Sequence, residues 1–92
     1  MGGDAPSEAT GLQFPCEFPI KAMGLAEPNL DALVVEIVLR HVGSLAEGAV
    51  RSRISRQGKY QSVTITINAD SQVQLDAIYQ ELTAHPRITL AL

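Results

Sequence analysis

Aromatic side chains are scarce in this chain: Phe14, Phe18, Tyr60 and Tyr79 are all it has, and tryptophan is absent. A core must therefore be assembled from Val, Ile, Leu and Ala. Cys16 is the single cysteine, which excludes an intramolecular disulfide and a cysteine-based metal centre and fits a reducing compartment. No basic stretch followed by an apolar one opens the sequence, so no signal peptide is expected. Met1-Gly2 lacks the Ser or Thr that myristoylation needs, since Pro6 stands at that position. The longest apolar runs fall short of a membrane span. With these absences, the cytoplasm is the expected location, away from membranes. A net charge of −3 gives no global pull toward nucleic acid.

Catalytic residues are just as thin. His41 and His85 are the only histidines, and neither has a cysteine or carboxylate at a spacing that would build a metal site. Ser55 and Ser62 lack base and acid partners for a hydrolytic triad. Cys16 has no evident histidine or helix start to lower its pKa. No enzyme activity, metal or cofactor is expected.

What is present is the patterning of one small α+β domain; ninety-two residues leave no room for two cores. Residues 1–13 are rich in small and acidic residues, and we read them as a disordered tail. Residues 14–92 form the single domain. Pro15 and Pro19 fit an edge-like approach to a first strand over 18–23, where Phe18, Ile20 and Ala22 alternate with Pro19, Lys21 and Met23 and Gly24 ends the run. Asn29 is the expected N-cap of a helix over 30–42. Its apolar stripe is Leu30, Leu33, Val34, Ile37, Val38 and His41, its last turn holds Arg40 and His41, and Gly43 follows. Val35, Leu39 and Val42 lie outside the stripe. Two readings fit them, a wide core-facing helix and a flank that meets a partner.

A loop over 44–48 precedes a hairpin. Taking Gln57-Gly58 as the whole loop puts Arg56 opposite Lys59, Arg53 opposite Ser62 and Val50 opposite Ile65. That register gathers Val50, Ile54, Val63, Ile65 and Ile67 on the core side. Arg51, Arg53, Ser55, Tyr60, Ser62, Thr64 and Thr66 fall on the other side. Ser71 and Gln74 form a capping box for a second helix bearing Leu75, Ile78, Tyr79 and Leu82, which stops before Pro86. A last strand over 87–92 should bury Ile88, Leu90 and Leu92. The order β-α-β-β-α-β is the ferredoxin-like plan, a four-stranded antiparallel sheet with two helices on one face.

The segments Phe14-Pro15-Cys16-Glu17-Phe18-Pro19-Ile20-Lys21-Ala22-Met23-Gly24 and Ser55-Arg56-Gln57-Gly58-Lys59-Tyr60-Gln61-Ser62-Val63, with the ending Glu81-Leu82-Thr83-Ala84-His85-Pro86, resemble the YbeD-like family of small bacterial proteins over about residues 12–92. The resemblance implies a ferredoxin-like fold related to amino-acid-binding regulatory (ACT) domains. It also suggests a regulatory link to lipoate metabolism. It supplies no catalytic residues. Gly24, Pro28 and Leu30 are similar in spacing to the ligand loop of ACT domains, but Glu27 replaces the usual Asp and Asn29 the usual Gly.

Other ferredoxin-like functions lack their residues. A copper carrier needs a CxxC in the first loop, and an acylphosphatase needs an arginine there. An RNA-recognition motif needs stacking aromatics where Ser62, Thr64 and Thr66 stand. The surface with functional promise is basic. Lys21, Arg51 and Arg53 should share the open sheet face with Ser55, Ser62 and Thr64, a set suited to an anionic small ligand or an acidic protein partner. A solvated face with a charged edge strand that resists aggregation is the plainer account. Val35, Leu39 and Val42 are the candidate interface, for a partner or a second copy. The expectation is a noncatalytic binding or regulatory module, with an RNA-binding accessory protein as the alternative.

Overall fold

The computed structural model describes residues 12–92. Six elements follow one another: β1 (Cys16–Leu25), α1 (Leu30–Val42), β2 (Val50–Ile54), β3 (Tyr60–Ala69), α2 (Gln72–Ala84) and β4 (Leu90–Ala91). The four strands form one antiparallel sheet in the order β2-β3-β1-β4, the ferredoxin-like arrangement. Of the expected tail, residues 1–11 lie outside the described residues, while Leu12 is partly buried against the core.

The core lies between the helices and one face of β1 and β3. Alternation along both central strands sends Ile20 and Ala22 to meet Ile65 and Val63, and these four are fully buried. From above, α1 contributes Leu30, Val34, Ile37 and Val38, and α2 contributes Leu75, Ile78 and Leu82. Phe18 and Tyr79, ring centroids 6.5 Å apart and nearly perpendicular, close one end.

The first strand is longer than its alternation suggested. Gly24 is buried within β1 rather than ending it, because the main chain of Arg87 crosses directly over its α-carbon. Pro19 is accommodated because β4 is short. Lys21 N–H donates to Leu92 O and Leu92 N–H returns to Lys21 O, so the odd residues of β1 direct their backbone groups toward β4. Among the described residues β4 pairs no further back than Lys21, and the missing N–H of Pro19 leaves no ladder bond unmade.

Helix α1 spans the expected residues, with a different start. Asn29 adopts a left-handed conformation (φ 66, ψ 19) and its side chain makes no capping bond. At α2 the expected box forms with its return bond shifted by one residue. Ser71 Oγ accepts from Gln74 N–H at 3.1 Å, and Gln74 Oε1 accepts from Asp70 N–H at 2.7 Å. Gln74 Nε2 also donates to the carbonyl of His41 at 2.9 Å, tying the start of α2 to the end of α1.

The hairpin register is the expected one, with Val50 opposite Ile65 and Arg53 opposite Ser62. The loop is longer than two residues: Ser55 N–H bonds Tyr60 O and Gly58 N–H bonds Ser55 O, leaving 56–59 as a four-residue loop. Two and four differ by one residue on each side, so the pairing is unchanged. Gly58 has φ 77, the turn geometry that glycine enters without strain.

Two groups expected in the core are outside it. Val50 is 36% exposed and Ile54 57%. They do point to the helix side, but β2 is the outer strand and neither helix packs substantially on it. Leu90 is 46% exposed and Leu92 62%. Ile88 is buried as expected, but the alternation breaks after it. Thr89 N–H bonds Met23 O while Leu90 also pairs with Met23, so two residues face one and Leu90 turns to the open side.

Candidate functional site

The register builds the open face in rows. Lys21 of β1, Thr64 of β3 and Arg51 of β2 form one row across the sheet, and Met23, Ser62 and Arg53 form the next. Strands lie about 4.8 Å apart, so Lys21 and Arg51 flank Thr64 at roughly 10 Å from each other, backbone to backbone. Their long side chains can converge over the hydroxyls between them. A shallow depression of about 370 Å³ lies there, lined by Lys21, Arg51, Ser52, Arg53, Ser62 and Thr64. Five of the six residues expected to hold an anion thus line one hollow.

The sixth does not. Ser55 Oγ accepts from Tyr60 N–H at 3.0 Å, a bond that fastens the hairpin end, and Ser55 lines a smaller neighbouring hollow with Arg53 and Ser62.

Charge distinguishes this hollow. Among the described residues, Arg40 pairs with Glu36 and Glu81, His41 with Glu81, and Arg87 with Glu27. Lys21, Arg51, Arg53, Arg56 and Lys59 make no such pair and are exposed, and the first three of them line this hollow. Three unneutralised cations over two hydroxyls can accept a carboxylate or phosphate, with each guanidinium able to bind in the bidentate manner. A second depression, of about 500 Å³, is lined in part by Glu17 and Glu47 and carries the opposite sign.

The half of the face beside β4 joins the expected Met23 and Tyr60 with leucines that the sequence pattern did not place there. Beyond the cations, Met23 is half-buried and Leu25, Tyr60, Leu90 and Leu92 are exposed. The face is thus cationic toward β2 and apolar toward β4. No sequence signal marks this, because Leu90 and Leu92 share the parity of Ile88 until the irregularity at Thr89 is seen.

The other sequence candidates are placed as follows. Leu39 is exposed, whereas Val35 and Val42 are partly buried against the core. A very open groove along α1 is lined by Asp31, Ala32, Val35, Glu36, Leu39 and Arg40; Val42 is not in it. His41 Nε2 lies 2.8 Å from Glu81 Oε1, a contact between helices forty residues apart that spacing could not reveal. His85 is half-buried, its Nδ1 accepting from Arg87 N–H at 3.1 Å. Cys16 is half-buried at the start of β1, opposite Ala69. The loop after β1 is occupied by the protein itself: Arg87 donates to Pro28 O at 3.1 Å and lies against Glu27, and Leu30 is fully buried. Among the described residues, no three His, Cys, Asp or Glu side chains cluster as metal ligands would. No described helix is long and apolar enough to cross a membrane.

Comparison with known proteins agrees with the resemblance noted in the sequence. A UPF0250 protein of Leptothrix cholodnii is 42% identical over 89 residues, covering 97% of this chain and 98% of that one. The UPF0250 protein NE1487 of Nitrosomonas europaea is 38% identical over 86 residues, covering 94% and 99%. The solution structure of protein HP0495 from H. pylori superposes with a TM-score of 0.65 over 88% of this chain and 85% of that one. At 11% identity that likeness shows the shared fold. The family model described as "Protein of unknown function (DUF493)" matches residues 9–92, and the chain belongs to that family, the YbeD-like proteins.

Proposed function

We propose that this chain is a noncatalytic cytoplasmic binding module that takes an anionic group, a carboxylate or phosphate of a ligand or protein partner, in the hollow between Lys21, Arg51 and Arg53. The observation that carries this reading is three exposed cations, free of internal carboxylates, around the hydroxyls of Ser62 and Thr64. A chain of net charge −3 that concentrates positive charge on one face attracts anions there selectively. The tie to lipoate metabolism that the family resemblance suggests belongs to this proposal as the setting in which a regulatory partner would be met.

RNA is the competing occupant. Tyr60, 41% exposed, offers one stacking ring on this face, but Ser62, Thr64 and Thr66 continue β3 without a second. The double substitution Arg51→Ser, Arg53→Ser separates the cases. Both side chains are exposed, so stability should change by less than about 0.5 kcal/mol. Binding of inorganic pyrophosphate, measured by calorimetry at low ionic strength, should weaken about tenfold, since exposed ion pairs are worth up to ~1 kcal/mol each. Undiminished binding by the double mutant removes the proposal. Tighter binding of single-stranded RNA than of pyrophosphate, with a steep salt slope, would favour the RNA reading.

A further inference from the structure

The outer edge of β2 has a feature separate from its arginines. Ala49 O accepts from Thr66 N–H, and Ser55 N–H donates to Tyr60 O, so the pairs at 49 and 55 are hydrogen-bonded. Such pairs alternate along an antiparallel ladder. Arg51 and Arg53 therefore direct their backbone groups to β3, while Val50, Ser52 and Ile54 direct theirs out of the sheet. None of those three has another backbone partner among the described residues. Every residue of β2 is exposed. The edge thus presents three N–H and three C=O groups, with Arg51 and Arg53 on its open side and Val50 and Ile54 on its helix side.

A second copy is a poor occupant. Antiparallel pairing of two β2 strands about Ser52 sets Arg51 opposite Arg53 twice, and parallel in-register pairing sets each arginine beside itself. Like charges directly across a ladder are destabilising. Reversing the sign of the incoming strand turns both contacts attractive. We infer that the β2 edge accepts an extended acidic segment of another protein as a fifth strand. Its acidic residues lie beside Arg51 and Arg53, and apolar or small residues lie beside Val50, Ser52 and Ile54. This deepens the open-face reading, since it uses the same two arginines, and adds to it a backbone requirement that the hollow alone lacks.

A labelled synthetic peptide alternating valine and glutamate around a central serine tests the inference. Controls are the same peptide with lysine for glutamate and one with its glutamates in a block. Fluorescence anisotropy at low salt gives the affinities, and amide exchange followed by NMR gives the docking site. Ser52→Pro deletes an outward N–H without touching the β3 ladder, as proline is tolerated on such an edge. Ser52→Ala keeps that N–H.

The alternating acidic peptide should bind and slow exchange at Val50, Ser52 and Ile54. Ser52→Pro should weaken it by about tenfold and Ser52→Ala far less. No binding, equal binding of either control peptide, or unchanged exchange at those three amides in the parent overturns the inference whatever the variants do. Full affinity in Ser52→Pro overturns the edge alone, because pyrophosphate binding by the parent and by the Arg51→Ser, Arg53→Ser variant, both with Ser52 intact, reports on the hollow separately. A parent that dimerises in sedimentation and protects these amides without peptide replaces the acidic segment with a second copy.

Discussion

A β-carbon on Gly24 would collide with the main-chain oxygen of Arg87, a group fixed by the chain's approach to β4. Gly24→Ala must therefore displace backbone, and we expect a loss of about 1–3 kcal/mol in urea unfolding; a variant within ~0.5 kcal/mol of the parent would show that this crossing yields easily. Tyr79 fastens the far end of β4, where Leu92 pairs with Lys21. Its hydroxyl donates to Leu92 O at 2.6 Å, and burial raises the phenol above its ordinary value of 10.0. The folded state then binds the phenolic proton more tightly than the unfolded chain does. That contribution is complete below the unfolded pKa and is lost as pH rises through the folded one. The parent's Tm should fall above pH 10, and Tyr79→Phe, missing a bond of about 0.5–1.5 kcal/mol at neutral pH, should fall less steeply there. Parallel alkaline profiles would contradict this assignment.

At the scale of elements, β2 and β3 share a hairpin but have opposite energetic roles. Ile65 on β3 is fully buried beneath both helices, whereas Ile54 on β2 is 57% exposed. Ile65→Ala should cost about 2–5 kcal/mol and Ile54→Ala less than ~1 kcal/mol, a contrast that chemical denaturation measures directly. Near-equal losses would mean that β2 is covered in solution. Much of this level was legible in the sequence. Helical spacing from Leu30 to Val42 marked α1, Ser71 with Gln74 marked the start of α2, and the alternation of Val50–Ile54 against Val63–Ile67 determined the hairpin register even with the loop length misread. The misplacement of Val50 and Ile54 has a cause of its own. Alternation reports which way a side chain points, but whether a helix lies above it depends on strand order and helix placement, and so Val50 and Ile54 were assigned to a core that does not reach them.

Across the whole molecule, the cationic half of the open face could be read in advance because Lys21, Arg51, Arg53, Ser62 and Thr64 all lie on regular strands, where parity and register determine position. Leu90 and Leu92 of the apolar half could not, because one extra residue opposite Met23 reverses their parity. The His41–Glu81 contact was equally hidden, being set by the packing of two helices. The proposed function requires the open face to be the place where an anion is held. Chemical-shift mapping of the isotope-labelled protein, titrated with pyrophosphate at low ionic strength, tests that claim most directly. Saturable shifts should concentrate on Lys21, Arg51, Arg53, Ser62 and Thr64; shifts scattered over the surface, or centred on the α1 groove around Val35 and Leu39, would contradict it.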